Sequence, residues 1–236
     1  LGLGSVRAWW AMAVVVPVAA LVLGGATVRR NLDYRSEMAL WQSAVLAMPD
    51  NPRGHNNLAL ALDSAGRLEE AVLSYRRALE LDPSLSEAYS NLGKSLYRMG
   101  RLPEAVDALR RALALRPNFL AARYNLGQIL VKAGRHEEAI GHLRKVLVVE
   151  PHMFAARFKA GEALLELGRA GEALAHLTRA VQLRPDDPQS HFYLGRAYEQ
   201  LQQVVEMVQA YRRVLELEPG HAAVIQRMTE TGVAAD

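Results

Sequence analysis

The side chains best suited to chemistry in this sequence are carboxamides that recur at a fixed spacing. Asn57, Asn91 and Asn125 follow one another at equal intervals, and Lys159 and Tyr193 continue the series. A carboxamide both donates and accepts hydrogen bonds, so equally spaced amides can pair with the backbone of an extended peptide whatever its sequence. This spacing predicts a binding surface.

Further polar and aromatic side chains surround these amides at related positions. Aromatic rings would add apolar contact, and Lys94, Arg98 and Lys159 would favour acidic segments. The candidate binding residues beside the amides are Lys94, Tyr97, Arg98, Tyr124, Gln128, Lys132, Phe158, Phe192 and Arg196.

Residues for catalysis or metal binding are not arranged in any recognisable pattern. The chain has seven histidines and no cysteine, and His142 and His176 are separated by the same interval as the amides. No His-Glu-x-x-His spacing occurs, so we expect surface histidines and no metal or cofactor site. No nucleophile with an adjacent base is evident either, and we expect the chain not to be an enzyme.

The elements that position these residues follow from a repeat with this same period. Prolines mark it at every thirty-fourth position: Pro49, Pro83, Pro117, Pro151, Pro185 and Pro219. Small residues recur where two helices would touch: Ala59, Gly93, Gly127, Gly161 and Gly195 on the first helix (helix A), and Ala71, Ala105, Ala139 and Ala173 on the second (helix B). Turn glycines stand between the helices: Gly66, Gly100, Gly134 and Gly168. A period of this length indicates stacked helix pairs.

This pattern resembles the tetratricopeptide repeat (TPR) family over residues 52–221. The five copies are residues 52–85, 86–119, 120–153, 154–187 and 188–221. The resemblance implies an all-α, right-handed superhelix whose A helices line a concave groove for peptides or protein surfaces. In the TPR domain of O-GlcNAc transferase such asparagines hold a peptide backbone, and the similarity lapses at the fourth position. The alternative is that asparagine is simply common at this position in TPR sequences.

The ends of the chain depart from the repeat. Gln202 and Met207 replace the turn glycine and a small alanine in the last copy, which predicts an altered contact between its helices. Residues 222–236 are expected to form a capping helix, with Ile225 and Met228 facing inwards, and a tail. Residues 31–51 match only the second half of a repeat and predict a single B helix that covers the first copy.

An apolar segment precedes the repeats. Ala8 to Val28 is a run of 21 residues without charge, with tryptophans at one end and Arg29 and Arg30 at the other. This length suffices to cross a bilayer, so residues 1–30 are predicted to hold a transmembrane helix and its flanks. The alternative is a cleaved signal peptide. Because the first residue is leucine, we expect a fragment or a processed product.

The junction carries a second resemblance. Residues 27–62 look like the segment that joins the last membrane helix to the repeats in bacterial TPR membrane proteins and transmembrane TPR O-mannosyltransferases. The shared features are Arg30-Asn31, Tyr34, Leu40-Trp41, Pro49 and Asn57-Leu58. The resemblance implies a bacterial inner-membrane protein with its repeats outside the cytoplasm. The three arginines after the span favour the opposite side by the positive-inside rule.

Charge argues against a nucleic-acid partner. Four of the 28 basic residues and one of the 25 acidic residues precede position 36, which leaves 24 of each in the repeats. A formally neutral array has no basic stripe for phosphates. We therefore expect a membrane-anchored scaffold that binds protein partners or extended peptides. The alternative is the non-catalytic tail of a multi-pass glycosyltransferase.

Overall fold

The structure is a computed structural model that describes residues 37–230. These residues form twelve helices, and no strand occurs among them. The described part of α1 covers residues 37–47. The other helices are α2 (Pro52–Ser64), α3 (Leu68–Leu81), α4 (Ser86–Arg98), α5 (Leu102–Leu115), α6 (Leu120–Lys132), α7 (His136–Val149), α8 (Phe154–Glu166), α9 (Ala170–Leu183), α10 (Pro188–Gln200), α11 (Val204–Leu217) and α12 (Ala222–Glu230).

The turn between helix A and helix B is the same in each copy. Gly134 has a φ of 73°, and its amide bonds the Val131 carbonyl while the Arg135 amide bonds that of Leu130. This is the Schellman arrangement, in which a left-handed residue closes the end of a helix. Gln202 takes the same conformation, with a φ of 57°. The predicted all-α solenoid of helix pairs is confirmed.

The chain divides into two compact units, Leu1–Ser95 and Leu96–Asp236. In unit 1, α2 packs on α3, and Ala59 and Tyr75 are both completely buried. The Ser95 hydroxyl donates to the buried carboxylate of Asp63 at 2.9 Å, which satisfies a charge that would otherwise be costly to bury. Asn51 begins α2 by accepting hydrogen bonds from the amides of Arg53 and Gly54.

In unit 2 the A and B helices of each pair approach closely at a glycine. A Cβ added to Gly127 or Gly161 would lie 2.8 or 2.5 Å from Cγ of Leu143 or Leu177. The A helix α8 also packs directly on α6 and α10, whereas the B helices α7 and α9 are joined through their long side chains, by the Arg144–Glu172 ion pair. The A helices therefore form the more tightly packed, inner side of this unit.

The last repeat keeps its close helix contact despite its unusual residues. Met207 is buried, and Tyr211 fills the leucine position so tightly that a Cβ on Gly195 would lie 2.3 Å from its ring. The capping helix α12 adds Val224 and Met228 to this core. The prediction for Met228 is confirmed, but Ile225 is 39% exposed, so the prediction that it faces inwards is wrong.

The predicted span at residues 8–28, the start of the half-repeat at residues 31–36 and the tail at residues 231–236 lie outside the described residues. Between residues 37 and 230, no helix is long and apolar enough to cross a membrane.

Candidate peptide-binding face

Helices α6, α8 and α10 present a continuous set of half-buried polar and aromatic side chains. We call this set the A-face of unit 2. It consists of Tyr124, Asn125, Gln128, Phe158, Lys159, Glu162, Tyr193 and Arg196. Each copy contributes residues at the same places in its A helix, so the set runs from one repeat to the next.

Aromatic rings connect the A helices. The ring of Phe158 meets that of Tyr193 edge-on, with centroids 5.2 Å apart, and stacks on Phe154 at 6.1 Å. Phe192 contacts Tyr193 at 5.6 Å, and the Arg196 guanidinium lies 5.3 Å from the Tyr193 ring centre. These rings are partly exposed and offer apolar contact beside hydrogen-bonding groups.

The charged residues of the A-face pair with one another. The ammonium of Lys159 lies 2.6 Å from Glu162, and the hydroxyl of Tyr193 donates to the same carboxylate at 3.3 Å. Arg196 pairs with Glu166 at 3.1 Å. Burial, and next the charge of Glu162, raise the pKa of Tyr193 to about 12, so its hydroxyl stays protonated. The predicted attraction for acidic segments is therefore offset at Lys159 and Arg196.

Two of the predicted residues near the start of unit 2, Tyr97 and Tyr124, lie close to each other. Tyr124 is half-buried, and burial, followed by the proximity of Tyr97, raises its pKa. Asn125 and Gln128 are half-buried on the same helix, whereas Arg98 and Lys132 are exposed.

Unit 1 contains a cavity of about 320 Å³ whose lining includes the predicted residue Asn57. The Asn56 amide donates to Oδ1 of Asn57 at 3.3 Å, and the buried Oδ1 of Asn56 accepts no hydrogen bond. Asn91 is half-buried and Lys94 is exposed. Asn57 and Asn91 belong to unit 1 and Asn125 to unit 2, so the three-amide ladder stays a prediction. The cavity is lined by Arg53, Asn56, Asn57, Leu85, Glu87 and Ala88.

Two histidines contact the carbonyl of the proline that ends the preceding repeat. Nε2 of His191 lies 2.8 Å from the carbonyl of Pro185, and His55 makes the same contact with Pro49. His191 is only 9% exposed, so the expectation of a surface histidine is wrong there. Within residues 37–230, no group of three or more histidine, cysteine or acidic residues could hold a metal ion.

Family models match most of the repeat region. The model described as "Tetratricopeptide repeat" covers residues 90–156, 130–188 and 158–222, and one described as "TPR repeat" covers residues 64–100. The chain belongs to the tetratricopeptide repeat family. Sequence had predicted this TPR membership correctly. The acidic partners of Lys159 and Arg196, which are Glu162 and Glu166, were not predicted from the sequence. The three-residue spacing of Lys159 and Glu162 is a signal that could have revealed the first pair.

Solved TPR structures share the fold. YrrB, described as "a TPR protein with an unusual peptide-binding site", is 24% identical with a TM-score of 0.73, over 80% of this chain and 97% of its own. MamA from Desulfovibrio magneticus RS-1 is 23% identical with a TM-score of 0.69, over 73% and 98%. MamA AMB-1 is 27% identical with a TM-score of 0.66, over 70% and 98%.

Curated relatives match shorter stretches. The TPR repeat-containing thioredoxin TTL4 of Arabidopsis thaliana is 39% identical over 64 residues, or 27% of this chain. The protein O-mannosyl-transferase Tmtc1 of Drosophila melanogaster is 42% identical over 67 residues, or 28% of this chain, and TMTC1 of Homo sapiens is 37% identical over 68, or 29%. The aligned stretches span only 8–9% of the lengths of these relatives.

Proposed function

We propose that this TPR protein is a membrane-anchored, non-catalytic scaffold that binds an extended segment of a partner protein along the A-face of unit 2. The observation that carries the proposal is the half-exposed pair Phe158 and Tyr193, set among paired charges and the amides of Asn125 and Gln128. Rings take apolar side chains of a ligand, and amides take its backbone.

Because Lys159 and Arg196 already have acidic partners, the expected ligand is an uncharged or weakly charged segment with an apolar anchor. An acidic segment would have to displace Glu162 or Glu166 from its partner. This refines the preference for acidic peptides that lysine and arginine alone suggest.

The direct test is a double substitution, Phe158→Ala with Tyr193→Ala, in the full chain, assayed against an immobilised library of extended peptides. Aromatic contacts of this kind contribute about 0.5–1.5 kcal/mol each, so the peptides that the parent retains should bind roughly 5- to 150-fold more weakly. The control is Leu73→Ala, which removes an exposed apolar side chain from a B helix. Equal peptide binding by the double variant and the control would refute the A-face as the site.

The amide ladder is tested separately. Replacing Asn57, Asn91 and Asn125 together by alanine should weaken peptide binding by about 2–4 kcal/mol, since each hydrogen bond is worth about 0.5–1.5 kcal/mol. Circular dichroism should remain unchanged, because none of the three amides is fully buried. Unchanged peptide affinity in a folded triple variant would show that these asparagines do not bind the ligand.

The anchor is proposed for residues 8–28, with the repeats outside the cytoplasm of a bacterial cell. Carbonate-washed membranes should retain the full-length protein, and protease added to spheroplasts should digest the repeats. Release into the soluble fraction would instead support a cleaved signal peptide. Protection from protease in intact spheroplasts would place the repeats in the cytoplasm.

A second candidate function is the non-catalytic tail of a multi-pass glycosyltransferase, which would present acceptor proteins to an active site elsewhere. The observations that favour it are the junction resemblance and the matches to O-mannosyl-transferases of fly, nematode, human and mouse. The full reading frame distinguishes the two. Further membrane spans with an acidic loop before Leu1 would favour the transferase, and a start codon close to Leu1 would favour the scaffold.

A further inference from the structure

Helix α1 carries an exposed face without charge. Glu37 is the only charged residue between positions 37 and 47. At about 100° per residue, five residues share an arc of about 120°. All five are exposed, and Leu40 and Leu46 reach 61% and 81%. We call this arc the outer face of α1: Ala39, Leu40, Ser43, Leu46 and Ala47.

The opposite side of α1 contacts α2 and the start of α3, which fixes the direction of the outer face. Cγ2 of Val45 lies 3.6 Å from the position that a Cβ would take on Gly54 in α2. The guanidinium of Arg67, at the start of α3, donates to the sulfur of Met38 at 3.1 Å. Met38 and Val45 lie on the side of the helix away from the outer face. The outer face therefore points away from α2 and α3.

Every full repeat carries a basic residue at the place that Ser43 takes in α1. Moving from Ser43 by one repeat period at a time gives a basic residue five times: Arg77, Arg111, Lys145, Arg179 and Arg213. The same steps from Leu46 reach Glu80 in α3 and Glu216 in α11, with Ala114, Val148 and Gln182 in the three copies between them. The B helices of the full repeats thus share a basic residue at the first of these places, and α1 replaces it with serine. At the second place α1 carries leucine where two of the B helices carry glutamate. An apolar face of this kind is typical of a surface that contacts an apolar medium.

The bilayer that the proposed anchor enters is within reach of this face. The apolar run ends at Val28, and eight residues separate it from Glu37. Eight extended residues span at most about 28 Å, so the described part of α1 starts within about that distance of Val28. The eight residues between Val28 and Glu37 include Arg29, Arg30 and Arg35 against one acid, Asp33, and this net positive charge suits lipid phosphates.

We infer that α1 lies in the membrane interface, with its outer face towards the acyl chains, and holds the first repeat against the bilayer. The inference rests on the proposed membrane anchor. Shallow insertion of an apolar helix face is the behaviour of interfacial helices, whose binding strength increases with the apolar area that they bury. Leu40 and Leu46 would provide most of that area.

Site-directed spin labelling tests this directly, because the 236 residues include no cysteine. Single cysteines replace Ser43 on the outer face, Arg111 at the equivalent place in α5, and Ala13 within the predicted span. The full chain is reconstituted into vesicles of phosphatidylcholine and phosphatidylglycerol, and nitroxide collisions with oxygen and with a nickel complex are measured.

The expected oxygen-to-nickel collision ratio at Ser43→Cys is several-fold above that at Arg111→Cys and below that at Ala13→Cys. A ratio at Ser43→Cys equal to that at Arg111→Cys overturns the inference. If Ala13→Cys is then lipid-exposed, the anchor stands; if it is aqueous, the anchor fails as well. Low accessibility to both reagents at Ser43→Cys also overturns the inference, because protein would then cover the face.

A substitution separates lipid contact from a local effect of the label. Leu46→Glu introduces the residue that α3 and α11 carry at this place, so the helix is expected to keep its fold and its circular dichroism. In vesicles it should raise nickel accessibility at the Ser43→Cys label severalfold, since a carboxylate disfavours the acyl region. Unchanged accessibility at that label would contradict insertion of the outer face.

Discussion

Gly161→Ala tests how tightly the helix pairs of unit 2 are packed. Two effects oppose each other. Alanine is the better helix former, which should stabilise α8 by about 0.5–1 kcal/mol. The new methyl, however, would lie 2.5 Å from Cγ and 2.7 Å from Cδ2 of Leu177. Carbon atoms prefer separations of about 3.5–4.0 Å, so the overlap is close to 1 Å.

Leu177 cannot relieve this overlap by rotation alone. Its Cγ is the branch atom of the side chain, and the residue is completely buried. Overpacking of this kind costs about 1–3 kcal/mol. Subtracting the helix-propensity gain leaves a net loss in the free energy of unfolding of about 0–2.5 kcal/mol. The lower part of this range is favoured because Ala59 occupies the same register in unit 1 and is completely buried, so a methyl group is accommodated there.

The assay is urea unfolding of the full chain in detergent, combined with hydrogen exchange of α8 and α9, since repeat arrays open locally. The matched control is Gly141→Ala in α7, where an added Cβ meets nothing within 4 Å. This control should stabilise by about 0.5–1 kcal/mol, so the two variants should differ in sign.

Equal stabilisation by Gly161→Ala and Gly141→Ala would refute the close approach of α8 and α9. A second test repeats Gly161→Ala in a Leu177→Ala background. Leu177→Ala alone should cost about 2–5 kcal/mol. With the leucine removed, the added methyl has room, and Gly161→Ala should now raise the free energy of unfolding.

Three further predictions concern the turn, the histidines and the C-terminal end. Gln202→Gly should raise the free energy of unfolding by up to about 1 kcal/mol, because glycine adopts the left-handed conformation without strain. A lower midpoint in urea unfolding would contradict this. Burial first, and nearby arginines next, lower the folded-state pKa of His142 and His176. The unfolded chain therefore binds protons first as pH falls below about 6.5, and the free energy of unfolding should decrease there. Replacing both histidines by glutamine should flatten this pH dependence. An identical slope of unfolding free energy against pH in the double variant would refute the prediction. Amide exchange should be faster in residues 188–230 than in residues 120–153, since the last copy lacks the turn glycine; equal protection would exclude this gradient.

The helix-pair repeat could be predicted from sequence because it depends on local signals. A glycine at the turn and small residues at fixed steps act within one copy, and each copy contacts only its neighbours. Gly134 shows this directly, since its left-handed φ of 73° follows from its place in the period. The period also predicted the register of Phe158 and Lys159 on the A helices.

The sequence by itself determined the family and the positions that can form a binding face, and its period predicts five repeats. The tertiary structure decided which side chains on that face are free to bind. Tyr193 donates to Glu162 from 31 residues away, and so joins α10 to the carboxylate that pairs with Lys159. Likewise, Val224 rather than Ile225 enters the core beneath α12. The physical reason is that periodicity specifies the helix face of a residue, whereas rotamers and packing against the neighbouring copy specify its partner.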